Sequence, residues 1–334
     1  MNASQAMVFS LVAVGILVCL PLIGVTVGMT SLFGVIIPYV AVALFFLGIV
    51  ARVVRWARSP VPFRIPTTCG QQKSFPWIKA DPLDNPSDSK SVVLRMILEV
   101  LLFRSLFRNT RLEFYDGPKI RYASAKWLWL GAIVFHYSFL VVFLRHLRFF
   151  TEPVTPLVTL LEGVDGFLEV GLPRLYISGL ALLAGVAYLF LRRVTIPQLK
   201  YISLPSDYFP LFLIFAIATT GVLMRYIYKV DIVGVKELTM GLATFHPVVP
   251  EGIGVIFYIH LFLVSVLFAY FPFSKLAHMA GVFLSPTRNL PNNSRMVRHI
   301  NPWNYPVKVH SYEEYEDEFR EKMIEAGLPV EKKE

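Results

Sequence analysis

Cysteine and charged residues are scarce in this chain of 334 residues. Only Cys19 and Cys69 are present, and charged residues make up 16% of the sequence. Two cysteines cannot form a disulfide framework, and they are too few for an iron–sulfur cluster held by four thiolates. No CxxCH sequence occurs, which excludes the usual covalent attachment of a haem. Any metal in this protein must therefore use other ligands.

Apolar residues are abundant: 55% of the chain is hydrophobic and 14% is aromatic. This composition is typical of an integral membrane protein. A hydrocarbon core about 30 Å thick needs roughly 20 apolar residues per helix. Six stretches qualify, at approximately 7–29, 32–54, 127–149, 173–191, 208–228 and 252–273. We expect the first stretch to be retained as a span, because it lacks a positive leader and a second span follows almost at once. The predicted fold class is an all-α integral membrane protein with six transmembrane helices.

The positions of lysine and arginine predict the orientation. Fourteen lie between Arg52 and Lys126, three are found at positions 192, 193 and 200, and nine lie from Lys275 to the last residue. With six alternating helices, these 26 of the 32 fall on one side of the membrane. Positive loops stay cytoplasmic, so we expect both termini in the cytoplasm and the protein in the cytoplasmic (inner) membrane. Topology alone then explains the net charge of +9, and no nucleic-acid partner is predicted.

Composition divides the chain into four segments. They are an amino-terminal transmembrane hairpin (1–54), a cytoplasmic loop (55–126), a four-span region (127–283) and a polar cytoplasmic tail (284–334). Within the loop, SVVLRMILEVLLFRSLFRN at 91–109 predicts an amphipathic helix that lies either on the membrane or against a partner. Residues 155–173 predict a second interfacial helix, on the outer side. The acidic run SYEEYEDEFREKM in the tail predicts a helix that is either solvated or a docking segment.

The histidines are the main functional signal. Seven occur, and four of them lie in or at the end of the third and sixth spans: His136, His146, His260 and His278. Ionisable residues inside a span are costly and usually functional. Any single one could simply bond a backbone carbonyl. As a set on two helices they favour bis-histidine ligation, in which two neutral imidazoles hold a haem among Phe and Leu side chains. The sequence therefore predicts two haems b.

The direction of the spans dictates how these ligands pair. The third and sixth spans are antiparallel, so His136 pairs with His278 near the cytoplasmic face, and His146 pairs with His260 near the outer face. We call these the inner pair and the outer pair. Ten residues of continuous helix rise about 15 Å, whereas eighteen rise about 27 Å. Tilted haem planes, crossed helices and a kink at Pro272 are expected to absorb this difference.

The spacing of ten and eighteen residues resembles the diheme cytochrome b, or gamma, subunits of respiratory nitrate reductases, over roughly residues 120–285. The amino-terminal hairpin departs from that pattern. Together with PTTCGQQKS and the tail NNSRMVRHINPWNYPVKVHSYEEYEDEFREKM, it resembles more specifically the DsrM family, the cytochrome b subunits of DsrMKJOP complexes in sulfate-reducing and sulfur-oxidising microbes. The region 127–283 is thus identified as a diheme cytochrome b domain similar to the gamma subunit.

The resemblance implies an oxidoreductase subunit that takes electrons from menaquinol and passes them to a cytoplasmic iron–sulfur partner similar to heterodisulfide reductase, in sulfur or sulfate metabolism. It also implies a periplasmic multihaem cytochrome c, an iron–sulfur subunit and a second quinone-interacting membrane subunit as partners. No complete reaction is expected from this chain alone, and no catalytic residue is assigned.

Three further residues are candidates for the outer side. His246, in the loop between the fifth and sixth spans, could accept a proton from quinol. Arg145 and Arg148 flank His146, where they could bind haem propionates by charge-assisted hydrogen bonds, and Arg148 could also line a quinone pocket. Snorkelling to the interface explains both arginines equally well.

Three other interpretations remain open. The chain could serve another respiratory oxidoreductase, such as nitrate reductase, as its gamma-type subunit. It could be a histidine-dependent proton or metal transporter, although such proteins usually show inverted repeats and broken helices in both halves. It could also be a structural anchor with vestigial haem sites, an interpretation that the retention of four ligands disfavours. The direction of electron flow does not follow from the sequence.

Overall fold

The computed structural model describes residues 2–59, 77, 79, 81–117, 119–168, 173–293 and 309–332. The helices and strands are, in chain order, α1 (Ala3–Thr26), α2 (Ile37–Ala57), α3 (Ser89–Leu102), α4 (Arg104–Arg108), β1 (Thr110–Tyr115), β2 (Lys119–Ser124), α5 (Lys126–His146), α6 (Pro156–Asp165), α7 (Ile177–Thr195), α8 (Pro197–Ile202), α9 (Pro205–Tyr226), α10 (Ile232–Ala243), α11 (Val255–Tyr270), α12 (His278–Gly281), α13 (Pro286–Asn289) and α14 (Tyr312–Glu325). Short 3-10 turns follow α5 at Leu147–Phe149, flank α12 and extend α11.

The six predicted spans are confirmed. Among the described residues, six helices are long and apolar enough to cross a membrane: Ala3–Thr26, Leu32–Ala57, Lys126–Phe149, Ile177–Thr195, Pro205–Tyr226 and Val255–Phe273. The second begins with a π-helical turn at Leu32–Ile36 that continues into α2. Because helices satisfy their own backbone hydrogen bonds, they are the form in which such apolar segments can cross lipid. The protein is an all-α integral membrane protein.

The spans pack into one bundle. α1 packs against α9 and α11, α5 against α7, α7 against α9, and α11 against α2. Leu213 and Leu263 are fully buried at the centre, where they join Leu182 and Val14 in a cluster drawn from four spans. A second cluster, which includes Leu238 of α10, lies around the beginning of α11. The predicted outer loop between the fifth and sixth spans thus contains a packed helix, α10.

The described part of the long loop contains helices and a β-hairpin. The helix predicted at 91–109 is present but broken, because Phe103 has a positive φ of 49° between α3 and α4. Strands β1 and β2 form an antiparallel hairpin in which Thr110 pairs with Ser124. The sequence analysis did not predict this hairpin, although Asp116 and Gly117, both at positive φ, are a turn signal.

The sixth span ends at Phe273, as the sequence analysis predicted, and His278 lies beyond that end. α11 stops at Tyr270, a 3-10 turn covers Phe271–Phe273, and Ser274 is extended with ψ 179°. Pro272 has no backbone N–H to continue a helix, and the Ser274 hydroxyl accepts a hydrogen bond from Leu276 N at 3.1 Å. The kink expected at Pro272 is therefore a complete break. The estimate of a 27 Å rise along one continuous helix was wrong, because the chain turns before it reaches His278.

Candidate functional site

The inner pair brings together two distant segments. His136 is the central residue of α5, and His278 is the first residue of α12, just beyond the break that follows α11. Their ring centroids are 6.0 Å apart and their planes are inclined by 85°. Two histidines that were expected to lie at the same depth of the membrane are thus neighbours in the structure.

The two rings of the outer pair are nearly as far apart as those of the inner pair, but they are oriented differently. His146 ends α5 and His260 lies one turn into α11. Their ring centroids are 6.2 Å apart, and their planes are within 12° of parallel. The structure therefore pairs all four histidines in the way that the direction of the spans indicated.

The separation within each pair suits a metal held between the two rings. Imidazole nitrogens bind metals at about 2.0 Å, and the nitrogen lies a further 1 Å or so from the ring centre. Two imidazoles on opposite sides of one metal ion therefore have their centroids about 6 Å apart. The measured 6.0 and 6.2 Å agree with this value.

Hydrogen bonds indicate which ring nitrogen of each histidine is free to bind a metal. Nδ1 of His136 lies 2.8 Å from the backbone oxygen of Ala132, and Nδ1 of His146 lies 2.6 Å from that of Val142. Nδ1 of His278 lies 2.9 Å from the backbone oxygen of Lys275. A carbonyl oxygen can only accept, so each Nδ1 carries the proton and leaves the lone pair of Nε2 free. This arrangement is the usual one for metal-ligating histidines.

His260 satisfies the same requirement through a side chain. Its Nδ1 lies 2.9 Å from the hydroxyl oxygen of Thr220 on α9. The sequence analysis did not single out Thr220, because a threonine within a span carries no signal of which neighbouring helix it faces.

Aromatic rings surround the pairs. Phe103 and Phe135 meet the ring of His136 edge-on, with centroids at 5.0 and 4.9 Å. Phe149 lies 6.0 Å from His146. Phe103 belongs to the break between α3 and α4, so the loop of the chain contributes to the inner site, which the sequence analysis also did not anticipate. These rings make both sites apolar.

Arg145 and Arg148 both have carboxylate partners on α6. Arg145 pairs with Asp165, donates to the Ser178 hydroxyl at 3.1 Å, and stacks on Tyr176 with its guanidinium carbon 3.4 Å from the ring centroid. Arg148 Nη1 lies 2.6 Å from a carboxylate oxygen of Glu162. These ion pairs dock the predicted interfacial helix against the outer end of α5. Binding of haem propionates by the two arginines stays a prediction.

His246 lies beyond the end of α10 and is exposed, with Nδ1 2.8 Å from the backbone oxygen of Thr244. α10 itself docks beside the outer pair, because the Thr239 hydroxyl donates to the backbone oxygen of Phe149 at 2.6 Å. The role of His246 as a proton acceptor stays a prediction. Cys69 and His299, to which no cofactor was assigned, lie outside the described residues, and His310 lies near Glu318 at 3.9 Å.

The donor set fits haem. Among the described residues, no three of the His, Cys, Asp and Glu side chains are grouped closely enough to hold a bare metal ion. Each pair supplies two neutral imidazoles, which is the number that a porphyrin-bound iron needs from the protein. Each pair, with its imidazoles at this separation and Phe rings beside it, can therefore hold one haem.

Known proteins resemble this chain over most of its length. The family model of the nitrate reductase gamma subunit matches residues 97–299, a range that contains both pairs. An Hdr-like menaquinol oxidoreductase cytochrome b-like subunit of Archaeoglobus fulgidus is 50% identical over 279 residues, which cover 81% of this chain and 83% of the relative. The protein of the same description from Archaeoglobus profundus is 46% identical over 274 residues, covering 80% and 81%. The chain belongs to the nitrate reductase gamma subunit family.

Proposed function

We propose that this chain is the membrane cytochrome b subunit of a menaquinol oxidoreductase. It transfers electrons between menaquinol and a cytoplasmic iron–sulfur partner similar to heterodisulfide reductase. The names of the two relatives, both described as cytochrome b-like subunits of Hdr-like menaquinol oxidoreductases, support this proposal. The six spans and the family membership agree with it.

The observation that carries the proposal is the presence of two histidine pairs whose ring centroids are 6.0 and 6.2 Å apart. We assign the inner pair and the outer pair as the residues that would hold two haems b, one haem at each pair. Bound haem supplies a one-electron carrier at each level of the membrane. The chain contributes the ligand tautomers, through the Nδ1 hydrogen bonds, and the aromatic lining that excludes water.

The proposed orientation of the chain in the membrane indicates a route for the electrons. We place both termini and the loop of residues 55–126 in the cytoplasm, on the basis of the lysine and arginine distribution. The inner pair then faces the loop on which a soluble partner docks. Quinol enters at the opposite end, beside the outer pair, where its two protons are released outward. His246 is the candidate proton acceptor, and Arg148 is part of the pocket wall.

The narrower assignment concerns the complex. The amino-terminal hairpin and the tail favour the DsrM family, and with it dissimilatory sulfur or sulfate metabolism. A periplasmic multihaem cytochrome c, an iron–sulfur subunit and a second membrane quinone-interacting subunit are then the further partners. The outer pair would in that case lie near the cytochrome c and could exchange electrons with it.

Haem quantitation tests the central assignment. Pyridine haemochrome analysis of the purified protein should give two haems b per chain, and reduced-minus-oxidised spectra should resolve two components. A folded protein that binds no haem would refute the proposal.

Replacement of His146 by alanine tests the route. The expected result is slow reduction of the inner haem by a menaquinol analogue, because the outer entry point is lost. Reduction at an undiminished rate would place quinol oxidation at the cytoplasmic end instead.

A further inference from the structure

The loop helix α3 has apolar residues on its exposed face and charged residues on its buried face. This is the reverse of the arrangement expected for a helix at a water surface. Its exposed face is apolar and consists of Val93, Leu94, Ile97, Val100 and Leu101. The opposite face is buried against the protein and contains the charged residues Arg95 and Glu99. A surface helix in water directs charged residues outward and apolar residues inward. The surroundings of α3 must therefore be less polar than the protein face that it covers.

Polar contacts occupy the buried face. Arg95 Nη1 donates to the backbone oxygen of Asp84 at 2.6 Å, and Arg104 pairs with the Asp84 carboxylate at 3.2 Å. Glu99 accepts a hydrogen bond from Ser105 N at 3.1 Å. The charged side chains thus bind one another and the loop backbone, with Arg95 Nε 3.8 Å from a carboxylate oxygen of Glu99.

Hydrogen bonds to α5 define how deep α3 lies. The Leu102 oxygen accepts from Trp129 Nε1, and the Leu101 oxygen accepts from the Tyr137 hydroxyl, both at 2.7 Å. Those two donors are about 5 and 17 Å along α5 from its first residue, Lys126. The end of α3 therefore lies within the span. Carbonyl groups at that depth have no water to bond and need protein donors, which these two side chains provide.

We propose that α3 is embedded in the membrane leaflet on the side where α5 begins, with its exposed apolar face covered by lipid acyl chains. This resolves the two alternatives for the amphipathic segment in favour of the bilayer. Phe103, whose ring centroid lies 5.0 Å from that of His136, is then also within the membrane, beside the inner pair.

Site-directed spin labelling tests the proposal. In a background with Cys19 and Cys69 replaced by serine, single cysteines at Leu94 and Ile97 are labelled with a nitroxide, and the complex is reconstituted in vesicles. We expect the labels to be relaxed by oxygen, which concentrates in lipid, more strongly than by a water-soluble nickel chelate. A label at Asp116, exposed in the hairpin turn, is the control and should show the opposite preference.

Two outcomes would overturn it. Stronger relaxation by nickel at positions 94 and 97 would place the face in water. Protection from both reagents in the complex, with access to both in the isolated chain, would assign the face to a protein partner.

An independent observation concerns Thr220, beside the outer pair. Its hydroxyl oxygen lies 2.9 Å from His260 Nδ1 and also 2.9 Å from the backbone oxygens of Ala216 and Ile217. The hydroxyl has one proton, and when it donates that proton to a carbonyl its oxygen accepts the Nδ1 proton of His260, which also approaches the backbone oxygen of Ile217. The helices approach closely here, because a Cβ added at Gly221 would lie 3.4 Å from His260 Cε1.

We infer that Thr220 is a positioning residue that sets the reduction potential of the outer haem through His260. An acceptor at Nδ1 makes the imidazole a stronger electron donor at Nε2, which stabilises ferric iron and lowers the potential. The inference rests on the proposed function, since it requires a haem between His146 and His260.

Potentiometric titration of four variants tests the role. T220V removes the acceptor with little change of shape and should shift the midpoint potential of the outer haem upward, while the inner haem is unchanged. T220S retains the hydroxyl and should restore the wild-type value. T220C, whose thiol is a weaker acceptor, should give a smaller upward shift of the outer-haem potential. It provides a second test if T220V does not assemble.

Thr219 provides the matched control. It precedes Thr220 on the same helix, and its buried hydroxyl has no hydrogen-bond partner among the described residues. T219V should therefore leave both potentials unchanged. An unaltered outer potential in T220V with both haems bound would overturn the role of Thr220. Wild-type protein without an outer haem would instead overturn the proposed function.

Discussion

Two glycines of α7 allow a direct test of how closely the spans pack. A Cβ added at Gly185 would lie 3.1 Å from the Cα of Phe135 and 3.2 Å from its backbone nitrogen. These are backbone atoms of α5, so they cannot move aside as a flexible side chain can. At Gly179, by contrast, the nearest atom is Val222 Cγ2 at 3.8 Å, an ordinary contact.

The two alanine variants should therefore differ in sign. Alanine in place of glycine favours a helix by about 1 kcal/mol, and this gain applies at both positions. Overpacking costs about 1–3 kcal/mol, and it applies only at Gly185. We expect G179A to be neutral or more stable than the wild type, and G185A to have a free energy of unfolding about 1–3 kcal/mol below that of G179A.

Denaturant titration in detergent micelles measures this difference, with the wild type as reference. Phe135 directly precedes His136, so G185A should also broaden or shift the spectral component of the inner haem and leave the outer component unchanged. Equal unfolding free energies for G185A and G179A would contradict the close approach of α5 and α7. A loss of stability with no change in the inner-haem spectrum would show that the contact between α5 and α7 does not affect the inner haem site.

Three further predictions follow from the described contacts. Alanine in place of either member of the inner pair should remove the same spectral component, and replacement of either outer member should remove the other; a shared loss between members of different pairs would contradict the assignment. R52Q should destabilise the break after α11 by about 1–3 kcal/mol and lower inner-haem content, with R55Q, at an exposed site, as control. Backbone hydrogen bonds from residues 331 and 332 lower the pKa of Glu316 from 4.5, so its contribution to the fold of the tail is present at neutral pH and lost as the pH falls through the depressed value. Hydrogen exchange of those amides should be faster in E316Q than in the wild type at pH 7 and equal in both once the pH lies below that value.

The spans and the pairing of the histidines could be predicted because they depend on one-dimensional properties. Length and apolarity define the six helices, and alternation of direction decides which residues share a level. The tail helix predicted from the acidic run is also present, and it begins with a capping box formed by Ser311 and Glu314, a signal that is local to the sequence.

The features that escaped prediction depend on tertiary contacts. Thr220 matters only because α9 turns that face toward α11, and no property of α9 alone defines that rotation. Phe103 reaches His136 because α3 is broken at a positive φ, a conformation for which phenylalanine has no preference. The β-hairpin is different, since its Asp-Gly turn is a local sequence signal from which the hairpin could have been predicted.

The amino-terminal hairpin lies outside the family match at 97–299, yet it supports the inner pair. Arg52 of α2 donates to the backbone oxygens of Pro272 and Ser274, the latter at 2.9 Å. These carbonyls lie at the break after α11, where unpaired backbone groups in a membrane need a donor. A Cβ added at Gly48 would lie 2.7 Å from Pro272 Cβ, so α2 is in close contact with the break as well as hydrogen-bonded to it. Because the break determines where His278 stands, the hairpin stabilises the geometry of the inner pair rather than serving only as an additional anchor.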